Sequence, residues 1–308
     1  MIMFKKNIKI IFILIFIFNN LIAREIFDQV LKAYISPIEQ EFTEKYQEFI
    51  KELEFKEYKD INNISRDILN NAYFLLEKII TKEYKTKYQD YTIISDFILC
   101  PEGEIKENTA FCNCSGFISS IIKKNSPEHY DYIKDNMNKK LWNDSIEKGK
   151  KLKSSELKFG EWDPSPRPQA LDFYNAFEKE NKYWEKISDI KNILPGDVIV
   201  KGYKKAKALE NTGHVMLVYA LPEYLGKWDK NKNYSVYKIL IIDSSKTCSN
   251  PCTRKIFTNF NNTGIGACYI YILADNKGKF LGYVKNQKSL KIADKSTSLN
   301  IGRAKDLN

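Results

Sequence analysis

Two cysteines stand one residue apart in the stretch FCNCSGFISSII, residues 111–122. A disulfide, a metal site and a nucleophile at the start of a helix all use such pairs. Asn113 or Ser115 can cap a helix here, because both side chains accept hydrogen bonds from free backbone N–H groups. The apolar residues that follow lie on one helical face: Phe117, Ile118, Ile121 and Ile122. The pattern predicts a buried helix with Cys114 in its first turn, where the helix dipole stabilises a thiolate.

Histidine is scarce, and this narrows the choice of a base for a thiol nucleophile. The chain has two histidines, His129 and His214. His129 lies in the polar segment SPEHY, whereas His214 follows Gly213 and begins the apolar run HVMLV. A histidine at the start of a core strand is held rigidly, and the glycine leaves room for an approaching group. We therefore expect His214 to take the thiol proton and to return it to the leaving group.

An aspartate ends the next apolar run along the chain. Asp243 follows YKILII, and the ends of neighbouring antiparallel strands can lie side by side. An acidic group beside an imidazole orients it and selects its tautomer. The predicted catalytic residues are thus Cys114, His214 and Asp243, with the backbone N–H of Cys114 as a candidate donor to an oxyanion.

The elements that must position these residues change type along the chain. Residues 25–88 carry apolar residues at helical spacing, and residues 171–180 read as a further helix. Five β-rich runs follow residue 193, at 197–201, 214–220, 237–243, 268–274 and 280–284. Asn-Lys-Gly at 276–278 predicts a hairpin turn between the last two runs. Helices followed by consecutive strands predict an α+β fold with an antiparallel sheet.

Three motifs and an aspartate occur in order: NCSGF at 113–117, LPGDV at 194–198, GHV at 213–215, and then Asp243. At these residues the chain resembles the NlpC/P60 superfamily of papain-like cysteine peptidases, whose motifs are of the types D-C-S-G-F, P-G-D-L and G-H-V. The resemblance covers about residues 97–245. It implies a papain-like core, in which the nucleophile helix packs on an antiparallel β-sheet, here with added N-terminal helices. It also implies Cys114 as nucleophile, His214 as base and Asp243 as the orienting residue.

The chain departs from the family pattern before the nucleophile. Many members have a tyrosine and a Gly-Gly pair there, where this chain reads PEGEIKENTAF. The side-chain donor to the oxyanion is therefore unassigned, with Tyr88 and Tyr91 as substitutes. Arg167 lies in the long segment between Cys114 and His214, where it either reads a substrate carboxylate or is an exposed structural residue.

The N-terminus has the layout of a secretory signal peptide, with lysines, an apolar run at 10–18 and Ala23. An uncleaved anchor is the alternative. We expect a signal peptide at 1–23, a helical region at 24–90, a catalytic domain at 91–287 and a polar C-terminal tail at 288–308. The expected location is the periplasm or cell envelope, with no stable membrane span after cleavage.

The six cysteines suit an exported protein that forms some disulfides. Cys248 with Cys252, Cys100 with Cys112, and Cys112 with Cys114 are the pairings considered, and the last would block the nucleophile. A metal site would combine Cys112 and Cys114 with Cys248, Cys252 or His214. The C-x-C and C-x-x-x-C spacings are not those usual for zinc, so we expect no metal and no cofactor.

The net charge is +10, but the basic residues are scattered among acids and form no arginine-rich stripe. We therefore expect no nucleic-acid partner. We also expect a monomer. The resemblance implies a cysteine hydrolase that cleaves an amide bond in peptidoglycan stem peptides. Two alternatives stay open: a catalytically silent envelope-binding module on the same fold, and an amidase or acyltransferase that acts on another substrate.

Overall fold

A computed structural model describes residues 47–54, 56, 58–88, 93–94, 108–149, 167–208, 210–247, 251–257, 263–284, 287 and 297–307. The helices are α1 (Asn63–Ile80), α2 (Cys114–Asn125), α3 (Pro127–Asp135), α4 (Lys139–Gly149), α5 (Ala170–Ala176) and α6 (Thr253–Phe257), and a 3₁₀ turn spans Ile190–Asn192. Residues 47–52 are also helical. Within the described residues, no helix is long and apolar enough to cross a membrane.

The strands form a small sheet and a large one. Their bounds are β1 (Lys85–Lys87), β2 (Ile93–Ile94), β3 (Thr109–Phe111), β4 (Trp184–Ile187), β5 (Val198–Tyr203), β6 (Gly213–Val218), β7 (Glu223–Trp228), β8 (Asn231–Ser245), β9 (Gly264–Ala274), β10 (Phe280–Val284) and β11 (Thr297–Ala304). The large sheet has the order β10-β9-β8-β6-β5-β11-β4, with β7 paired to β8. All its pairs are antiparallel, so the predicted α+β class with an antiparallel sheet is confirmed.

Both faces of the large sheet are covered, because alternate residues of each strand enter two different cores. In β6, Val215 and Leu217 pack with α1, α2 and α5, whereas Met216 and Val218 pack on the opposite face with Ile199. Strands buried on both faces have nearly continuous apolar sequences, which is why the five β-rich runs were recognisable. The hairpin turn also lies where it was predicted: the Gly278 N–H donates to Asp275 O at 3.1 Å.

The helix α1 covers one side of this core. Asn62 caps its N-terminus by accepting a hydrogen bond from the Ser65 N–H at 2.8 Å. Its inward face has the predicted apolar spacing and is fully or almost fully buried: Ile68, Leu69, Ala72, Leu75, Leu76 and Ile79. The helical pattern predicted for the first part of residues 25–88 lies outside the described residues.

The strand β11 differs from the sequence prediction. Residues 288–308 were expected to form a polar tail, but residues 297–304 lie between β5 and β4 in the large sheet. The run TSLNIGRA escaped notice because it has few apolar residues. Its polar side chains are bound instead, since Asn300 donates to Tyr174 O at 2.9 Å and Arg303 pairs with buried Asp197 at 2.8 Å.

The strands β6 and β8 separate near the functional motifs. They pair only at Leu217 with Ile242 and at Val218 with Ile241. Beyond this point the start of α2 lies against both strands: Ser244 Oγ donates to Cys112 O at 2.7 Å, and the Val215 N–H lies near enough to the Cys114 thiol to lower its pKa. The opening between two strands therefore places the nucleophile motif next to the end of β8 and the start of β6.

Candidate active site

Cys114 is the first residue of α2, as the sequence predicts. Asn113 has an extended backbone and caps the helix, because its Oδ1 accepts a hydrogen bond from the Gly116 N–H at 2.9 Å. The Cys114 side chain is buried apart from 6% of its surface. A thiol in this position faces the unpaired N–H groups of the first helical turn, which favour a negative charge.

His214 follows Gly213, a position where any other residue would strain the backbone. Gly213 has φ +138°, and a Cβ there would lie 1.9 Å from Lys201 O. Its N–H donates to Asn211 Oδ1 at 2.9 Å, which fixes the entry into β6. The His214 side chain is 15% exposed, so one side of the imidazole faces solvent while the rest is enclosed.

His214 binds Asp243 and lies near the Cys114 thiol. Its Nε2 lies 2.6 Å from Asp243 Oδ2, and its side chain lies close enough to the Cys114 thiol to lower the pKa of that thiol. Because Nε2 is committed to the carboxylate, Nδ1 is the ring nitrogen left for the sulfur. The structure thus brings together the three side chains that the sequence predicts.

The Cys114 thiol is poised to ionise near neutral pH. Burial raises its pKa, but His214, the Val215 N–H and the Arg167 guanidinium act in the opposite direction and lower the pKa to about 7. An ordinary cysteine has a pKa of about 8.5, so a larger fraction of Cys114 is thiolate at neutral pH. This arrangement can supply a sulfur nucleophile for a carbonyl carbon and a proton for the leaving group bonded to that carbon.

The other thiol of the CNC pair has opposite properties. Cys112 is fully buried, and burial raises its pKa to about 12. Cys112, Cys114 and Cys268 are free thiols, so the considered pairings of Cys112 with Cys114 and with Cys100 are wrong. Cys252 is disulfide-bonded. The two thiols also differ in their surroundings, since Cys112 belongs to the hydrophobic core and Cys114 keeps 6% of its surface exposed.

Asp243 has a second partner that the sequence analysis missed. The Arg254 guanidinium pairs with Asp243 Oδ1, and both side chains are fully buried. Arg254 also donates to the main-chain oxygens of Asp243, Gly264 and Gly266, at 2.6, 2.6 and 3.0 Å. No local motif marks this arginine. The GIG sequence at 264–266 is the one signal near it, because glycines often make room for a large group.

Arg167 is buried, so the prediction that it is an exposed structural residue is wrong. It has 3% of its surface exposed, and its Nη1 lies 2.7 Å from Ser115 Oγ and 3.4 Å from Pro168 O. Its positive charge helps to lower the pKa of Cys114. The guanidinium therefore binds the first turn of α2 through Ser115.

His129 lies away from these residues and has a structural environment. It is fully buried, its Nδ1 is 2.6 Å from Ser126 Oγ, and its ring makes edge contacts with Tyr183 and Trp184. Burial lowers its pKa, which favours the neutral imidazole. His129 therefore joins α3 to β4 and does not contact Cys114.

Tyr88 lies close to the start of the nucleophile helix. It directly follows β1, which pairs with β3 in parallel, and the neighbouring Cys112 N–H donates to Lys87 O at 3.2 Å. The Lys246 ammonium lies 5.9 Å from the centre of the Tyr88 ring. Tyr91 lies outside the described residues. Among the described residues, no three or more histidine, cysteine or acidic side chains group as a metal site would require.

Comparisons with known proteins give one distant similarity. No family model matches the chain, and no solved structure matches it at a significant level. The chain is similar to the uncharacterized protein R653 of Acanthamoeba polyphaga mimivirus, with 25% identity over 178 residues. This region is 56% of the chain and 66% of the viral protein, so the chain matches just under two thirds of that relative's length.

Proposed function

We propose that this chain is a cysteine hydrolase that cleaves an amide bond. Cys114 is the nucleophile, His214 the general acid and base, and Asp243 the residue that orients His214. The observation that carries the proposal is the grouping of three side chains: His214 Nε2 lies 2.6 Å from Asp243 Oδ2, and His214 lies near enough to the Cys114 thiol to help lower its pKa to about 7. A buried thiol has little other need for an imidazole and a carboxylate in series.

The proposed reaction has two halves. The Cys114 thiolate attacks the carbonyl carbon, the carbonyl electrons move to oxygen, and the amine leaves with the proton that His214 has held. The thioester that remains is attacked by water, whose proton passes to His214. Collapse of this second intermediate releases the carboxylic acid and restores the thiolate beside a protonated His214.

The start of α2 supplies the setting for the oxyanion. The Cys114 N–H is in the first turn of α2, where backbone N–H groups have no partner within the helix. Such groups stabilise negative charge on an attacked carbonyl oxygen without any movement. Tyr88 stays a candidate for the side-chain donor because of its position beside Cys112.

The proposed substrate is a stem peptide of peptidoglycan, in an exported protein acting in the periplasm or cell envelope. The family resemblance motivates this choice, and a cation beside the site supports a substrate that carries carboxylates. Lys201 lies directly opposite His214 in the pairing of β5 with β6, so their side chains share a face. The Lys201 ammonium is 5.3 Å from the ring centres of both Tyr203 and Tyr283.

Tyr283 connects this cation to the nucleophile. Burial raises the pKa of the Tyr283 hydroxyl, and the charges of Tyr203 and Cys114 raise it further. The tyrosine therefore lies within electrostatic range of the sulfur. Lys201, Tyr203 and Tyr283 together form a positively charged, aromatic margin next to His214, which suits an acidic peptide.

The test compares wild type with Cys114→Ala on purified muropeptides and on a panel of α- and γ-linked peptide amides, with mass spectrometry as the readout. We expect new amine and carboxylate ends with the wild type and none with Cys114→Ala. Intact muropeptides, together with cleavage or acyl transfer elsewhere on the panel, would reject the substrate but keep the mechanism. An unreactive Cys114 would instead favour a binding module.

A further inference from the structure

We propose that Arg254 is a positioning residue of the site, which holds the Asp243 carboxylate in the orientation that His214 requires. The functional chain then has four members: Cys114, His214, Asp243 and Arg254. This inference rests on the proposed thiolate chemistry, and it extends that chemistry to a residue outside the three recognised motifs.

The geometry divides the two oxygens of Asp243 between two partners. Oδ2 lies 2.6 Å from His214 Nε2, and Oδ1 pairs with the Arg254 guanidinium. The same Nη2 atom donates to the main-chain oxygen of Asp243 at 2.6 Å. Arg254 therefore grips the side chain and the backbone of one residue, which leaves the carboxylate no free rotation.

The chain makes room for this guanidinium with a glycine in β9. Gly266 lies opposite Asp243 in the pairing of β8 with β9. A Cβ at Gly266 would lie 2.5 Å from the Cγ of Arg254, so a larger residue would displace the arginine. Gly264 and Gly266 also supply two of the carbonyl oxygens that Arg254 binds. The GIG sequence is thus explained by the arginine.

The segment that carries Arg254 is anchored on both sides of it. Cys252 is disulfide-bonded and forms a β-bridge with Cys268. Thr253 Oγ1 accepts a hydrogen bond from the Ala267 N–H at 2.8 Å. A guanidinium on α6 is therefore held against β9 by contacts that do not involve the catalytic residues.

The physical need for a cation here is clear. A carboxylate that is fully buried without a positive partner takes up a proton, and a protonated acid no longer stabilises an imidazolium. The Arg254 guanidinium keeps the charge on Asp243, and the charged carboxylate in turn holds His214 in place beside the Cys114 thiolate. Loss of Arg254 should therefore have the same consequence for Cys114 as loss of the Asp243 charge.

The experiment measures the alkylation rate of Cys114 by iodoacetamide against pH, with peptide mapping, and needs no substrate. The variants are Arg254→Gln, Asp243→Asn and the double variant. These variants leave unchanged the other titratable or charged groups around Cys114, which are His214, Arg167, Cys112 and Tyr283. A matched control is Arg303→Gln, because Arg303 also pairs with a buried aspartate, Asp197, at 2.8 and 2.9 Å, and has no contact with His214.

In wild type and Arg303→Gln, we expect the pH midpoint of Cys114 alkylation to lie near 7. In Arg254→Gln and Asp243→Asn, this midpoint should rise toward about 8.5, the pKa of an ordinary thiol. Such a rise lowers the thiolate fraction at pH 7 by about fifteenfold. The double variant should show no further rise, because both changes remove the same support. A wild-type midpoint in folded Arg254→Gln, with a raised one in Asp243→Asn, would overturn the proposal.

Two further variants keep the test decisive if Arg254→Gln does not fold. Arg254→Lys keeps the charge but loses the fork that reaches both the side chain and the carbonyls, and Gly266→Ala pushes the arginine aside. Both should raise the midpoint, and wild-type midpoints in both would overturn the proposal. An ordinary midpoint in the wild type itself would contradict the proposed function instead, so the two failures are distinguishable.

Discussion

The Nε2 atom of His214 lies 2.6 Å from Oδ2 of Asp243, although their strands pair at only two positions. The separation of β6 from β8 is what makes the site possible. Beside this gap, Ser244 Oγ donates to Cys112 O at 2.7 Å, and the Val215 N–H lies near enough to the Cys114 thiol to lower its pKa. A fully paired ladder would exclude the Cys114 thiol from the space beside His214.

The two thiols of the CNC pair should react very differently. At pH 7, iodoacetamide is expected to label Cys114 and to leave Cys112 unlabelled, because their pKa values are about 7 and about 12. The labelling rate should rise with pH through about 7 and then level, since only the thiolate reacts. Peptide mapping of the folded, unreduced protein measures both sites, and equal labelling of the two would contradict the assignment.

The two histidines offer a matched pair of substitutions. His214→Ala should reduce turnover of a cleaved substrate by at least about a hundredfold, because it removes the general base and acid. His129→Ala should lower the melting temperature, since it leaves a cavity among Tyr183 and Trp184, while kcat of the folded protein stays near wild type. Similar losses of kcat in both variants would reject His214 as the base.

Lys201 should affect recognition more than chemistry. If a substrate carboxylate binds the Lys201 ammonium, Lys201→Met raises KM for carboxylate-bearing amides by about tenfold and changes kcat little. The same substitution should leave KM unchanged for a substrate in which that carboxylate is amidated. Lys227→Met is a control on β7, where Lys227 binds Ser235 Oγ at 3.3 Å. Equal effects on acidic and amidated substrates would contradict a charge contact.

Replacement of Gly213 by alanine should destabilise the fold through a steric clash, and Gly226 provides a control without that clash. Gly213→Ala brings a Cβ to 1.9 Å from Lys201 O at φ +138°, whereas Gly226→Ala meets nothing within 4 Å at φ +113°. Backbone strain alone costs about 1–3 kcal/mol, so Gly226→Ala should stay in that range. Gly213→Ala should cost more and also lower Cys114 reactivity, as urea unfolding and alkylation would measure. Equal losses of unfolding free energy would refute the steric argument.

The sequence predicts those site residues whose roles depend on their neighbours along the chain. Cys114 follows a cap and precedes an apolar helical face, and His214 follows a glycine and begins a core strand, so short patterns indicate both. Arg254 and β11 had no such pattern. Arg254 acts through a glycine on a neighbouring strand, and the polar residues of β11 are satisfied by distant partners such as Tyr174 and Asp197. Such contacts are set by tertiary structure alone.

The place of β11 has a consequence for how the chain is assembled during synthesis. It pairs with both β5 and β4, whose residues end at 203 and 187, long before residues 297–304 are made. Those two strands therefore lack their shared neighbour during the synthesis of residues 204–296. Pairing of such widely separated segments also slows folding. A nascent chain of this protein must wait in an incompletely paired form until residues 297–304 have emerged.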